Sequence, residues 1–265
     1  MSEASDDEAA LAVARGAALE AGAELLARYE KLDRRTVRTK SIRRDLVSEA
    51  DLASEKVILA RIRAAFRDDA IRAEESSRAA VAGSAVWHVD PLDGTTNFVH
   101  GLPEFSISIA RYRDGAPRVA VVHAPKLGET YTALAGGGAH RNGERLHVTK
   151  TAELADALLA TGFPYRRGEL PNDNVANFAH ILPLVRDLRR LGSAALDLAF
   201  VAAGRFDAYW ELHLEPHDVA AGALLVREAG GRVTDVAGGD AWLEGRSVVA
   251  SNGPLHEPLR SRLSG

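Results

Sequence analysis

The first third of the chain carries apolar residues at helical spacing among many alanines. Ser5 followed by Glu8 matches a capping box, so a helix is predicted to begin near Ser5. A second helix is predicted from about Ser48 to Phe66. Between the two helices lies a basic stretch, residues 31–44, which we interpret as a solvent-exposed connector.

The middle of the chain changes to short segments rich in β-forming residues. Pro91 is expected to stop one of these strands, and Asp114-Gly115 is expected to form the turn between two others. Strands are predicted at residues 70–74, 85–90, 105–113, 118–124 and 129–135.

The second half alternates strands with helices. Ser193 is predicted to cap one helix, Asp218 to open another, and Gly230-Gly231 to end it. This alternation predicts an α/β chain in which residues 1–265 form one layered unit with two sheet halves, at about 1–150 and 151–265. The predicted strands are 158–162, 205–211 and 247–251, and the predicted helices are 172–188, 194–204, 218–229 and a short one at the C-terminus.

Composition excludes several classes of protein. Of the 265 residues, 46% are hydrophobic and 26% are charged, which is typical of a folded globular chain. The net charge of −4 argues against a protein that coats nucleic acid with positive charge. The absence of cysteine excludes disulfides, thiolate nucleophiles and Cys-ligated zinc. The acidic start MSEASDDEAA does not match a signal peptide and no apolar run could span a bilayer, so we expect a soluble, cytoplasmic protein without membrane contact.

Candidate chemistry lies in acidic residues at the ends of predicted strands and the starts of predicted helices. P-loop, dinucleotide-binding, His-Glu-x-x-His and Gly-x-Ser-x-Gly motifs are absent. Glu74 and Glu75 follow one strand, Asp90 ends the next, and Asp93 begins a turn into a helix. Each of these acids could instead be a turn former or a helix cap when it is taken alone.

Taken together, the acids favour a metal site. Two carboxylates about 4 Å apart repel by roughly 4 kcal/mol at an effective dielectric of 20, which a fold tolerates by protonating one or by binding cations. Oxygen ligands without cysteine favour magnesium over zinc. The amides of Gly94, Thr95 and Thr96 at a helix start would face an anion, so the combination predicts metal-assisted phosphoryl hydrolysis. The four negative charges of Glu74, Asp90, Asp93 and Asp218 would balance two Mg²⁺ ions. A third, weaker Mg²⁺ would enter with the phosphate of the substrate.

Several runs of residues carry a resemblance to a known family, and the run from Asp90 to Phe98 is the most specific of them. They are Glu74-Glu75-Ser76, Asp90-Pro91-Leu92-Asp93-Gly94-Thr95-Thr96-Asn97-Phe98, His217-Asp218-Val219-Ala220-Ala221-Gly222, Lys40, Asp45-Leu46-Val47-Ser48, Asp51, Gly192-Ser193-Ala194-Ala195 and Glu228-Ala229-Gly230-Gly231. With them, the chain resembles the inositol monophosphatase family over nearly its whole length.

The resemblance implies a fold, an activity and a set of site residues. The implied fold is the layered αβαβα sandwich shared with fructose-1,6-bisphosphatase, and the implied protein is a cytoplasmic homodimer inhibited by lithium. The implied reaction is hydrolysis of a small phosphate monoester, myo-inositol 1-phosphate, by a water that two or three Mg²⁺ ions activate. The implied metal ligands are Glu74, Asp90, the Leu92 carbonyl, Asp93 and Asp218. The implied catalytic residues are Thr95, Asp51 and Glu74, and the implied substrate contacts are Asp93, Gly94, Thr95, Ala194, Glu211 and Asp218.

The chain departs from the family pattern beside the last metal-binding acid. The family usually has Trp directly before this acid, whereas this chain has His217, and Glu215 replaces a usual histidine. On a strand, His213, Glu215 and His217 would share one face and could bind a transition metal, although Pro216 interrupts that alternation.

Other activities stay open on the sequence. Related branches of the family hydrolyse histidinol phosphate, fructose 1,6-bisphosphate or adenosine bisphosphate. Some bacterial relatives act as factors associated with RNA polymerase, a role that the basic stretch 31–44 could support. The net charge argues against strong RNA binding, so nucleic acid is not the expected partner.

Overall fold

Two long helices precede an alternation of strands and helices in a computed structural model that describes residues 3–29, 31, 37–39, 46–75 and 85–265. The helices are α1 Glu3–Arg28, α2 Glu49–Ala65, α3 Thr95–His100, α4 Val175–Ile181, α5 Ala194–Ala202, α6 Pro216–Glu228 and α7 His256–Arg260. The strands are β1 Arg38–Thr39, β2 Leu46–Val47, β3 Ala70–Ala73, β4 Ala85–Asp93, β5 Ser106–Arg113, β6 Ala116–Ala124, β7 Glu129–Leu134, β8 Gly138–Arg141, β9 Glu144–Arg145, β10 Leu158–Thr161, β11 Asp187–Arg189, β12 Ala208–Leu212, β13 Arg232–Thr234 and β14 Ser247–Ser251. Short 3₁₀ turns occur at Leu154–Asp156, Leu182–Leu184 and Ala241–Leu243.

The first sheet has the strand order β3-β4-β5-β6-β7-β8-β9, and helices α1 and α2 cover one of its faces. The buried side of α1 is made almost entirely of alanine, with Leu25 at its end. Small side chains at this spacing let the helix axis approach its neighbours closely while still removing apolar surface from water. Trp87, Val89 and Ile107 of the sheet pack into the same buried cluster.

Helices α5 and α6 form the middle layer of the molecule. A single buried cluster joins them to Ala110 and Val122 of the first sheet and to Tyr209 and Val248 of the second. The second sheet has the order β11-β10-β12-β14-β13, and a third buried cluster on its other face includes residues of α4 and α7. The layers therefore run helix, sheet, helix, sheet, helix, which confirms the expected αβαβα sandwich.

His256 of α7 is fully buried against the second sheet. Its two ring nitrogens lie 2.9 Å from the hydroxyl oxygen of Thr234 and 3.0 Å from that of Ser251. Burial lowers the pKa of His256 to about 4, so the ring is neutral at pH 7.

Several local predictions are confirmed. Helix α2 starts after Ser48, whose side chain accepts a hydrogen bond from the Ala50 amide as part of a capping box. Asp114 and Gly115 connect β5 to β6 with positive φ angles of 51° and 78°. The buried side chains of Trp87 and Trp210 lie in the core, as aromatic residues of this size usually do.

The strand that should stop at Pro91 instead continues to Asp93. Asp90 pairs with Ser108 and Asp93 pairs with Ser106, so the longer side of this ladder carries one extra residue. Proline cannot donate a ladder hydrogen bond and is tolerated at such a bulge. The bulge extends β4 far enough to carry both acids at one end of the sheet.

The predicted helix at 172–188 is wrong over much of its length. Helix α4 covers only Val175–Ile181, and a 3₁₀ turn with Pro183 follows it because proline cannot continue an α-helix. The chain then forms β11, which pairs in parallel with β10. Pairing with a neighbouring strand here outweighs the local helical pattern.

Three element starts also differ from the prediction. Helix α1 is already formed at Glu3, so Ser5 lies inside the helix and does not cap it. Strand β12 begins at Ala208, three residues later than expected, and α6 begins at Pro216, ahead of Asp218. Most of the basic stretch 31–44, with Lys40 and Asp45 of the family motif, lies outside the described residues, as does Ser76.

Candidate active site

The end of β4 and the start of α3 form an acidic corner. Gly94 connects the two elements with a φ of 92°. A Cβ atom at this position would lie 3.0 Å from the Glu104 carbonyl oxygen and 3.3 Å from that of Gly192, in addition to the strained φ. Glycine is therefore required for the chain to turn from Asp93 into the helix.

Asp93 joins this corner to helix α5. Its Oδ2 atom accepts hydrogen bonds from the Ser193 hydroxyl at 2.7 Å and from the Ala195 amide at 2.8 Å. Ser193 occupies the N-cap position of α5, but its side chain makes no capping bond, so its predicted capping role is wrong. The hydroxyl orients Asp93 instead.

Asp218 lies in the first turn of α6 and is held by a second capping box. The Glu215 amide donates to Asp218 Oδ2 at 2.7 Å, and the Glu215 side chain accepts from the helix backbone in return. The other oxygen, Oδ1, lies 3.5 Å from the His217 Nε2 atom. The acid therefore does not open the helix but projects from its third position.

Glu74 reaches the same place from β3. Its amide donates to the Val89 carbonyl at 3.1 Å, which continues the pairing of β3 with β4. One ligand atom each of Glu74, Asp90 and His217 lies within 4.8 Å of the others. Residues far apart in the sequence are thus brought together.

Burial and mutual repulsion shift the pKa values of these acids. Burial, with the charges of Glu74 and Asp93, raises the pKa of Asp90 well above its ordinary value. Burial and the charge of Asp218 raise the pKa of Asp93 to about 7, and burial raises that of Asp218. Repulsion of this kind is relieved by cations.

The residues fit a divalent metal. Carboxylate oxygens from β4, α6 and the residue after β3, with a backbone carbonyl at Leu92, are the oxygen ligands that Mg²⁺ accepts. Asp90 is 3% exposed and Leu92 is 1% exposed, so their oxygens are shielded from bulk water. The Leu92 amide also donates to Asp90 Oδ1 at 2.9 Å, which fixes that carboxylate.

Thr95 and Asp51 form a buried pair next to these acids. The Thr95 hydroxyl lies 3.0 Å from Asp51 Oδ1 and 3.1 Å from the Leu92 carbonyl oxygen. Asp51 is fully buried, and its Oδ2 accepts from the Ser48 amide at 2.9 Å and from the Ser48 hydroxyl at 2.6 Å. One oxygen of Asp51 is therefore occupied by the start of α2 and the other faces Thr95.

A cavity of about 410 Å³ opens beside the acids. The acidic part of its wall is formed by Glu74, Asp93 and Asp218, and Ala194 and Glu211 line another part. Three predicted metal ligands therefore share one cavity with two predicted substrate contacts. Asp51, Asp90, Leu92, Gly94 and Thr95 are buried close to them.

Glu211 is a half-buried acid in this wall. Tyr209 donates a hydrogen bond to it through its hydroxyl. Burial raises the pKa of Glu211 to about 8. A methyl group at Gly162 would overlap the Glu211 carboxylate, so glycine makes room for this side chain. The Glu211 side chain therefore contacts Tyr209 and faces the cavity.

The cavity also contains groups that the sequence analysis missed. Tyr165, Arg166 and Arg190 line it, and they add two cations and a hydroxyl to its wall. The basic pair before Gly192 was a signal that could have indicated Arg190. No local pattern indicated that the Ser193 hydroxyl would reach Asp93.

The alternating histidines do not lie on a strand. Strand β12 ends at Leu212, His213 has a positive φ of 63°, and α6 starts at Pro216. The His213 Nε2 atom contacts the Asn172 carbonyl oxygen at 2.5 Å, and Glu215 pairs with Arg246. Within the described part of the chain, His213, Glu215 and His217 do not form a metal-binding group together. His217 lies with Glu74 and Asp90 instead.

Comparison with known proteins identifies the family. The model of the inositol monophosphatase family matches residues 6–264. The chain belongs to the inositol monophosphatase family. It is 44% identical over 217 residues to an inositol-1-monophosphatase of Rhizobium meliloti, with 82% of each chain covered. It is also 45% identical over 247 residues to the Nus factor SuhB of Pseudomonas aeruginosa, with 91% of each chain covered.

Solved structures agree with this assignment. The inositol monophosphatase from Anabaena superimposes with a TM-score of 0.87 at 41% identity, covering 96% of this chain and 95% of that chain. Membership in the inositol monophosphatase family implies phosphatase activity on small phosphate monoesters, and the family is generally metal-dependent. Every helix in the described part of the chain is too short or too polar to cross a bilayer.

Proposed function

We propose that this protein is a Mg²⁺-dependent phosphatase that hydrolyses myo-inositol 1-phosphate to inositol and phosphate. The observation that carries the proposal is the convergence of four acids at one place: Glu74, Asp93 and Asp218 line the cavity, and the buried Asp90 lies close enough to feel the charge of all three. Like charges held together by separate elements are costly unless they bind cations. Metal ligands are proposed to be these four acids and the Leu92 carbonyl.

When bound, Mg²⁺ supplies positive charge that neutralises the phosphoryl oxygens and makes water more acidic. The chain's own contribution centres on the pair of Thr95 and Asp51. The Thr95 hydroxyl donates a hydrogen bond to Asp51 Oδ1, so a lone pair of its oxygen can orient the attacking water. As Thr95 takes the proton of the water, its own proton would pass to the Asp51 carboxylate, which is the final acceptor. Glu74, on the same wall, is proposed as the third catalytic residue.

The substrate is proposed to lie across the same cavity. The amides of Gly94 and Thr95, at the start of α3, are proposed to hold the phosphate, with Asp93 and Asp218 as further contacts. Ala194 and the Glu211 carboxylate, on the other part of the wall, are proposed to contact the polyol. A carboxylate or carboxyl group there would hydrogen-bond vicinal hydroxyls and would favour a polyol over a long apolar ester.

A panel of phosphate monoesters tests this proposal. We expect phosphate release with Mg²⁺, loss of activity with a chelator, and inhibition by lithium. Myo-inositol 1-phosphate should have the highest kcat/KM in a panel with histidinol phosphate, fructose 1,6-bisphosphate and adenosine bisphosphate. Absence of hydrolysis across the panel would contradict the proposal, and a higher kcat/KM for another ester would change the substrate. We further propose a cytoplasmic homodimer, which light scattering of the purified protein would test.

A second candidate function is association with the transcription machinery. Two named relatives, of Pseudomonas aeruginosa and Pasteurella multocida, are Nus factors at 45% and 43% identity. A catalytically inactive Asp93→Asn protein that still retained RNA in a salt-sensitive way would favour this role. Substrate turnover without RNA retention would favour the enzyme.

A further inference from the structure

His217 brings a ring nitrogen next to the acids of the proposed magnesium site. It is the second residue of α6, and its carbonyl accepts a hydrogen bond from the Ser108 hydroxyl at 3.2 Å. Its ring lies with Glu74 and Asp90 so that one potential ligand atom of each is within 4.8 Å of the others. The helix start therefore brings an imidazole to the acids of the first sheet.

We propose that His217 supplies a nitrogen ligand to the divalent ion held by Glu74 and Asp90, which makes this a mixed nitrogen–oxygen metal site. The inference rests on the proposed metal centre. It concerns a ligand that the sequence analysis placed only in a separate transition-metal site on a strand.

The spacing is compatible with one shared ion. Ligand atoms about 2.1 Å from an ion are about 3 Å apart when adjacent and about 4.2 Å apart when opposite. All separations in this group are within 4.8 Å, an upper limit about 0.6 Å longer than the separation of opposite ligands, so the three side chains can reach one ion after local side-chain movement. His217 is 19% exposed, so its ring has room for such a movement.

The contact between His217 and Asp218 is not a hydrogen bond, so it does not occupy the ring nitrogen. The distance of 3.5 Å between His217 Nε2 and Asp218 Oδ1 exceeds that of a hydrogen bond. The other Asp218 oxygen already accepts from the Glu215 amide. Within the described part of the chain, no hydrogen bond occupies the His217 ring nitrogens, so the ring is available to a cation.

A nitrogen ligand changes which metals the site prefers. An imidazole nitrogen adds a donor without adding negative charge, and Co²⁺ and Zn²⁺, and less strongly Mn²⁺, accept it more readily than Mg²⁺ does. We therefore expect this chain to bind Mn²⁺ and Co²⁺ more tightly, relative to Mg²⁺, than the same site without the imidazole.

Pulsed electron paramagnetic resonance of the Mn²⁺-loaded protein tests the ligand directly. With less than one equivalent of Mn²⁺, the spectrum should contain the ¹⁴N modulation of a coordinated imidazole. His217→Phe, which keeps a ring without a nitrogen, should lose this modulation. His213→Asn is the matched control, because His213 lines the same cavity outside the metal-binding group and asparagine tolerates its positive φ. This control should keep the modulation.

Calorimetric titration gives a second measurement that does not depend on activity. His217→Phe should weaken Mn²⁺ and Co²⁺ binding by at least about 10-fold and Mg²⁺ binding by less than about 3-fold. Mn²⁺ bound without ¹⁴N modulation in the unmodified protein would overturn the role of His217 and leave the phosphatase proposal intact. No Mn²⁺ or Mg²⁺ binding at all would overturn both. The unmodified protein gives this result even if the variant fails to fold.

Discussion

Replacing Asp93 with asparagine separates the charge of the acidic cluster from its geometry. Asparagine has the same shape, and its oxygen can still accept from the Ser193 hydroxyl and the Ala195 amide. The variant therefore keeps the link between β4 and α5. It loses one negative charge among the acids that we propose to bind metal.

The magnitude follows from the pKa of Asp93, which burial and Asp218 raise from 3.8 to about 7. Because the folded pKa is raised, folding favours the protonated form, and the cost of holding the charge is absent below pH 3.8. It grows between pH 3.8 and 7 and is complete above pH 7. At 1.36 kcal/mol per pH unit, the cost is at most about 4 kcal/mol at pH 8, and weaker hydrogen bonds of the amide reduce the gain.

Without metal, Asp93→Asn is thus expected to be about 1–4 kcal/mol more stable than the unmodified protein at pH 8 and nearly equal to it at pH 4. With Mg²⁺ the difference in the free energy of unfolding between the two proteins should become smaller or reverse. The reason is that an ion at 100 times its Kd adds about 2.7 kcal/mol to the stability of a protein that binds it. Phosphate release should fall by at least about 10³-fold, since a metal ligand is lost.

Urea unfolding at both pH values, with chelator and with saturating Mg²⁺, measures the stabilities, and a phosphate-release assay measures turnover. Asp156→Asn is the control, because Asp156 is an exposed acid paired with Arg186, and it should change stability by less than about 0.5 kcal/mol. A metal-free Asp93→Asn protein less stable than the unmodified one at pH 8 would refute the repulsion. An active variant would refute the assignment of Asp93.

Three further predictions concern single side chains. Thr95→Ala should lower kcat about 10²–10³-fold, whereas Thr95→Ser, which keeps the hydroxyl, should lower it less than about 10-fold; steady-state kinetics checks both. Because the pKa of His256 is lowered to about 4, its stabilising effect is present above pH 6.5 and is lost as the pH falls towards 4. Between pH 7 and pH 5, the contribution of His256 to the free energy of unfolding should therefore fall by about 2 kcal/mol in the unmodified protein and in the exposed control His180→Gln. His256→Gln should not show this loss in urea unfolding. Gly162→Ala should displace the Glu211 carboxylate and lower kcat/KM for the polyol ester about 10–100-fold, while a phosphate ester without hydroxyls should be hydrolysed unchanged.

The acidic corner was predictable because its residues are neighbours in the chain. Asp90, Asp93 and Gly94 lie within five positions, and a strand followed by a turn into a helix necessarily keeps them close. Glu74 was predictable as an acid at the end of the preceding strand, and parallel pairing of β3 with β4 brings it alongside. The meeting of Asp218 with these acids depends on how α6 packs between two sheets, and only the family resemblance indicated it.

Errors arose where tertiary contacts outweigh local preference. Residues 172–188 carry a helical pattern, but β11 gains a partner strand by leaving it. Proline commonly ends a strand, but the pairing of Asp93 with Ser106 extends β4 beyond Pro91. The single-unit organisation of residues 1–265, the ligand set and the homodimer stay predictions.

One local device positions two of the functional acids. Asp51 and Asp218 each occupy the third position of a helix, and the amide of the N-cap residue just before that helix donates to the Oδ2 atom of the acid. In both capping boxes the Oδ1 atom is left to face the site: it meets the Thr95 hydroxyl in one case and the His217 ring in the other. A carboxylate held this way has lost its rotational freedom before any ligand binds, so less entropy is lost on binding. The two helix starts therefore contribute to stability and to the geometry of the site through the same hydrogen bonds, and changing either acid should affect both.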